Sequence, residues 1–252
     1  MHDGNFLAKV AARANRAAAG LFRTGLVRMA NARPIVSFTF DDFPKSALQG
    51  AEILSSYNAA GTFYLSSCFS GRTVDPIRYY DLDDVRFLLE NKHELGCHTA
   101  SHLHVSQMRR DELTADLDRN AEFARKNFNC ALATFSFPFG DISLSSKLLV
   151  QRRFDACRSS LPGVNRGFAD LGALRAIRLY SKLLDAEAIK SLIERAARPG
   201  SWLILYTHDV DDDPSPYGCT PALLQAAVES AVAAGCQILP VRNALGPIRF
   251  HP

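Results

Sequence analysis

The chain has 252 residues, 47% of them hydrophobic and 22% charged, with a formal net charge of +3. That length fits one large α/β domain, and the near-balanced charge argues against nucleic acid or an acidic polymer as partner. No run of 18 apolar residues is present, so no membrane-spanning helix is expected, and no secretion leader is visible, which predicts a cytoplasmic protein.

Between Gly4 and Phe40 there are six basic residues (Lys9, Arg13, Arg16, Arg23, Arg28, Arg33) and no acid. Phe6, Val10, Ala14, Ala17 and Leu21 recur at helical spacing, so residues 1–33 read as a basic helical extension packed on the domain. A surface helix for anionic lipid or a partner, and an organelle-type presequence, are the alternatives. Residues 34–252 read as a single domain. Strand-like runs fall at 35–40, 61–65, 94–98, 133–137, 154–159, 174–180, 201–207 and 236–241. Helical stretches lie near 45–58, 81–91, 109–127, 144–152, 185–197 and 220–234. This alternation predicts about seven to eight mostly parallel strands with helical crossovers, closed into a distorted (β/α) barrel. The six cysteines show no CxxC spacing and sit mostly in apolar runs, as reduced thiols do.

The chemistry-bearing residues follow strands. Asp41 and Asp42 follow "SFTF", His98 and His102 follow "ELGC", and His208 follows "WLILYT". In a parallel barrel all such ends share one rim, so residues distant in sequence converge. His98 and His102, at i and i+4, face the same way if "HTASH" makes one helical turn. Alone, that pair reads equally well as a helix start with surface histidines. With the Asp pair it gives two nitrogen ligands and one oxygen ligand for a divalent cation, with the second carboxylate free as a general base. His208 titrates in the range of a general acid. The run Asp211–Asp213 reads as a solvated loop.

The motifs "TFDDFP" (39–44), "HTASH" (98–102), "SFPFG" (136–140) and "LILYTHD" (203–209) resemble, in order, those of the polysaccharide deacetylase family with NodB homology. The resemblance implies a metal-dependent hydrolase that removes an N-acetyl group from an amino sugar and releases acetate. It implies Asp41 as general base, Asp42, His98 and His102 as metal ligands, Zn²⁺ as the expected ion, and His208 as general acid. It implies that the Phe139 N–H stabilises the oxyanion and that Tyr206 lines the acyl pocket. It also implies an N-acetylated carbohydrate as partner; the oligomeric state stays open.

Three positions depart from the family's pattern. Phe43 replaces a glycine and is expected to crowd the metal. Ser136 replaces the arginine that pairs with the base, leaving Arg158 or Arg166 as substitutes. The Asp–Trp pair near the acid histidine has no counterpart, since Trp202 belongs to a strand. Loops 66–80 and 159–173 are expected to wall the groove, with Tyr79, Tyr80 and Phe168 as sugar-stacking aromatics. The rival readings are a same-fold hydrolase of a non-sugar C–N bond, an Fe(II) oxygenase, and a non-catalytic binding module.

Overall fold

A computed structural model describes residues 14–74 and 76–249. In chain order the elements are α1 (14–21), β1 (Leu26–Arg28), β2 (Ile35–Asp41), α2 (Leu48–Ser56), β3 (Thr62–Leu65), β4 (Thr73–Val74), β5 (Ile77–Arg78), α3 (Leu82–Glu90), β6 (Glu94–Cys97), α4 (Arg110–Phe128), β7 (Thr134–Ser136), α5 (Leu144–Val150), β8 (Ala156–Arg158), β9 (Asn165–Arg166), β10 (Phe168–Asp170), β11 (Ile177–Arg178), α6 (Ala186–Ala196), β12 (Ser201–Thr207), α7 (Pro221–Ala233), β13 (Gln237–Ile238) and α8 (Val241–Arg249). Residues 1–13 of the predicted extension lie outside the described residues. No helix among the described residues is long and apolar enough to cross a membrane.

Strands β12, β2, β3, β6, β7 and β8 pair in that order, all parallel. The segment 171–178 closes the curl. Leu174 bridges Arg158 in parallel on one side, and β11 pairs with β12 on the other. The result is the distorted (β/α) barrel that the alternation predicted. Outside it, β9, β10 and β1 form an antiparallel flap on the β12 edge. That flap and α8 escaped the sequence reading, because two- and three-residue strands carry too little pattern and Pro247 inside α8 reads as a helix breaker. The predicted strand at 174–180 shrinks to the bridge at Leu174 and the two residues of β11.

Strand periodicity explains how the sequence positions a polar site. In β2, Val36, Phe38 and Phe40 pack outward in the helix-facing core with Ala51 and Leu54 of α2 and Leu224 of α7. The alternate positions, Ser37, Thr39 and Asp41, point into the barrel and are polar. Ser37 accepts a hydrogen bond from the Trp202 indole at 2.9 Å. A second core, built by Cys97, Leu113, Leu117, Phe135 and Val150, fixes α4 and α5 against β6 to β8, and Ala19 of α1 joins it. Lys147 of α5 is fully buried; its amine donates to the carbonyl oxygens of Ala19 (2.8 Å) and Phe22 (2.6 Å) and to Asp170 (2.6 Å), tying α1 to the barrel.

Candidate active site

Adjacent residues of a strand point to opposite faces, so Asp41 and Asp42 could not share a site if β2 ran on straight. It does not. Asp42 and Phe43 take left-handed backbone angles, φ 63° and 55°, and the Phe43 N–H donates to the Asp41 carbonyl at 2.7 Å. The turn swings the Asp42 carboxylate to the same side as Asp41. It sends Phe43 the other way, into the core, where its ring stacks on Tyr80 at 4.9 Å and tilts against Phe63 at 5.3 Å. Phe43 therefore does not crowd the site. The glycine expected there supplies a conformation, and here a buried phenylalanine holds that conformation by packing.

The second surprise is "HTASH". It makes no helical turn. The loop is bent by Thr99 (φ 66°) and His102 (φ 49°), and the His102 N–H donates to Thr99 Oγ1 at 3.0 Å. Buried Asp116 of α4 accepts from the Ala100 N–H at 2.7 Å, the Ser101 N–H at 3.3 Å and the Ser101 hydroxyl at 2.5 Å. Ser66 donates to the His98 carbonyl at 2.6 Å. The i, i+4 spacing pointed to the right pair for the wrong reason: the loop folds the two imidazoles together instead of a helix.

The imidazoles meet Asp42. Nε2 of His98 lies 3.2 Å and Nε2 of His102 2.9 Å from its Oδ1, and one donor atom from each of the three residues falls within 4.8 Å of the others. Nδ1 of His98 lies 2.8 Å from the Ser136 carbonyl oxygen, which acts only as acceptor, so the ring proton sits on Nδ1. Its Nε2 then turns a lone pair toward a carboxylate oxygen that is buried without a satisfactory hydrogen bond. Such close approach needs positive charge among these atoms, either a proton on an imidazole or a bound cation. Two neutral imidazoles and one carboxylate fit a divalent ion such as Zn²⁺.

Asp41 is kept apart from that trio. The Arg158 guanidinium donates to both of its carboxylate oxygens and to Ser136 Oγ. Burial pushes the Asp41 carboxyl up, but Arg158, His98 and His208 outweigh it and hold the group below the usual range. The arginine missing from position 136 has thus moved one strand over. Ser136 and Arg158 are register partners on β7 and β8, and Arg158 is only 2% exposed. Its face also lies 4.7 Å from the Tyr206 ring. Arg166 is not a substitute: it lies on the exposed flap and donates to the Arg195 carbonyl.

His208 Nε2 lies 3.9 Å from Asp42 Oδ2, and its Nδ1 is 3.2 Å from the Tyr217 carbonyl oxygen. A backbone carbonyl takes the place expected for an aspartate. Phe139 sits in a tight turn, Pro138–Gly140, with φ 58°; its ring covers His102 at 4.4 Å and His104 at 4.3 Å. Only glycine fits at 140, where φ is 59° and a Cβ would lie 1.9 Å from Ser160 Oγ.

Asp41, Asp42, His98, Phe139, Arg158 and His208 open into one cleft of about 800 Å³. Tyr79, Phe139, Tyr180 and Tyr217 line it, and the last two of the predicted stacking residues do not: Tyr80 is buried with its hydroxyl on the Ser66 carbonyl, and Phe168 faces a separate cavity on the flap. Tyr206 is buried, with its hydroxyl accepting from Arg178 Nε at 3.0 Å. Arg178, Tyr180 and Asp116 were not singled out from sequence. Arg178 and Tyr180 end a strand-like run just as Asp41 does, so the same strand-end rule could have found them; Asp116 carried no signal inside a charged helix.

The family described as "Polysaccharide deacetylase" matches residues 28–153. Similar folds occur in a family 4 acetyl xylan esterase from Clostridium thermocellum in complex with a cobalt ion (19% identity, TM-score 0.61, covering 84% of this chain and 90% of that one). They occur also in the Bc1960 peptidoglycan N-acetylglucosamine deacetylase (16%, TM-score 0.62, 87% and 91%) and in BA3943, a CE4 family pseudoenzyme from Bacillus anthracis (15%, TM-score 0.61, 91% and 72%). No curated protein matches the chain.

Proposed function

This chain belongs to the polysaccharide deacetylase family, and from that premise we propose that it is a metal-dependent hydrolase that removes an N-acetyl group from an amino sugar and releases acetate. The observation that carries the reading is the division of labour between two neighbouring carboxylates. Asp42 faces two imidazoles, and Asp41 is held off by Arg158. The similarity to a pseudoenzyme means that the fold alone does not confer catalysis. What supports catalysis here is that Asp41 with Arg158, the Asp42–His98–His102 trio and His208 lie side by side, and a pure binding module has no use for Asp41.

Asp42, His98 and His102 would hold the ion. When bound, such an ion supplies Lewis acidity, polarising an acyl carbonyl and lowering the pKa of a water toward about 7. Asp41 accepts the proton of the attacking water as its oxygen adds to the acyl carbon. Arg158 and Ser136 keep that carboxylate ionised and aimed. The Phe139 N–H would donate to the developing oxyanion, a contact worth about 3–4 kcal/mol. The C–N bond then breaks, and His208 gives its proton to the departing nitrogen. An amine leaves poorly without that proton, whereas an alcohol needs it less, so a histidine in reach of the site favours the amide over the ester. The exposed rings of Phe139 and Tyr217 give flat surfaces on which a sugar stacks. We place the reaction in the cytoplasm, on an oligosaccharide or precursor; the six free thiols support a reducing compartment.

The test pairs metal analysis of the purified protein with acetate release from N-acetylglucosamine oligomers, acetylated xylan serving as the ester control. Stoichiometric divalent metal and chelator-sensitive acetate release from the amide are expected. Full activity in chelator would overturn the reading.

A further inference from the structure

The wall of the cleft beside the base is positively charged. Of the acids that line it, Asp41 is paired with Arg158, Asp42 faces the two imidazoles, and Asp209 accepts from the Ser215 N–H at 2.6 Å and the Ser215 hydroxyl at 2.5 Å. Three further cations line the same cleft, Arg16, Arg178 and Lys182, and none of them pairs with an acid among the described residues.

Their settings differ in a telling way. Arg178 spends its Nε on the Tyr206 hydroxyl, which fixes the guanidinium plane and leaves both terminal nitrogens without a hydrogen bond to the protein among the described residues. Arg16 reaches the cleft from α1, and its Nε is buried with no hydrogen-bond partner among the described residues. Lys182 extends the charge along the rim, four residues beyond Arg178. A neutral sugar would leave these donors facing only water. A carboxylate or phosphate would satisfy them through charge-assisted bonds, the strongest kind that side chains make.

We infer that the substrate is an N-acylated amino sugar carrying an anionic group, a phosphate or a carboxylate, which Arg178 and Lys182 bind with help from Arg16. The inference rests on the deacetylase reading for the identity of the reacting bond but not for the anion site. It makes Arg178 and Lys182 determinants of specificity, separate from the groups that touch the acyl carbon.

Three compounds test it: N-acetylglucosamine, its phosphate monoester and its lactyl ether, which carries a carboxylate. Acetate release is followed for each. The affinity of the wild-type metalloprotein for each deacetylated product is measured by calorimetry, which needs no turnover. The phosphate or lactyl product is expected to bind about tenfold tighter than the neutral one or better, with the same order in kcat/KM. The stronger arm names the anion. The advantage should shrink with added salt and fall below about twofold in the double variant Arg178→Gln/Lys182→Gln. Both side chains are exposed, so the variant should fold, and an unchanged thermal transition would verify it. Equal binding of all three products would overturn the inference, as would a preference that survives the double substitution. Tight anion binding without acetate release from any compound would support the anion site while sinking the hydrolase.

Discussion

Position 43 shows how one residue trades backbone comfort for burial. A left-handed phenylalanine costs on the order of 1–3 kcal/mol, and glycine would remove that cost. The Phe43 ring, however, is fully buried between Tyr80 and Phe63, and deleting such a ring costs about 3–5 kcal/mol. Burial wins. Phe43→Gly, which restores the residue usual in the family, should destabilise the protein by about 2 kcal/mol, read from the midpoint of chemical unfolding. The two aspartates before it should separate cleanly. Asp42→Ala should abolish stoichiometric metal in the purified protein. Asp41→Asn should keep the metal and lose turnover by about a hundredfold or more, the usual worth of a general base. A metal-free Asp41→Asn protein, or a fully active one, would reverse these assignments.

At the scale of elements, α4 is the brace of the site. Asp116 fastens the loop that carries both histidines, and Asn120 accepts from the Ser67 N–H and donates to the Leu65 carbonyl, fastening the loop beside it. Groups that orient metal ligands commonly matter about tenfold or more in affinity. Asp116→Ala should therefore weaken metal binding by about that factor without touching a ligand, as a competitive chelator titration would read. A separate buried contact between elements sets an acid limit on stability. His93, before β6, is buried, accepts a hydrogen bond from the Gly61 N–H at 3.0 Å on Nδ1 and meets Ser55 on Nε2. Burial pulls its pKa from 6.5 to about 4, so the folded chain binds fewer protons than the unfolded one between those values. This contribution is complete above pH 6.5 and is lost as the pH falls toward 4, by up to about 3 kcal/mol. In His93→Gln that acid-side slope should flatten; an identical slope would remove His93 as its source.

Over the whole molecule, what was legible followed from long periodic elements and strand-end chemistry. Strands 35–40 and 201–207 stand out because they are buried on both faces, and the residues just past them could be read as one rim. The hidden parts have a common physical cause. The left-handed bends at Asp42, Phe43, Thr99 and His102 are stabilised by packing and by distant carboxylates rather than by local residue type. The shift of the arginine from position 136 to 158 is a relation across a strand pair, visible only once register is known. The flap and α1 depend on tertiary anchoring in the same way, and the anchor is Lys147. One amine there gathers a helix end, a strand and the wall of the barrel. A protein shortened to begin at Thr24 would strip that amine of its two carbonyl partners and also carry away Arg16. Such trimming should lower the melting temperature and, while leaving the reacting centre assembled, weaken the proposed preference for anionic sugars. The segment around Arg16 would then take part in the proposed selection of substrate.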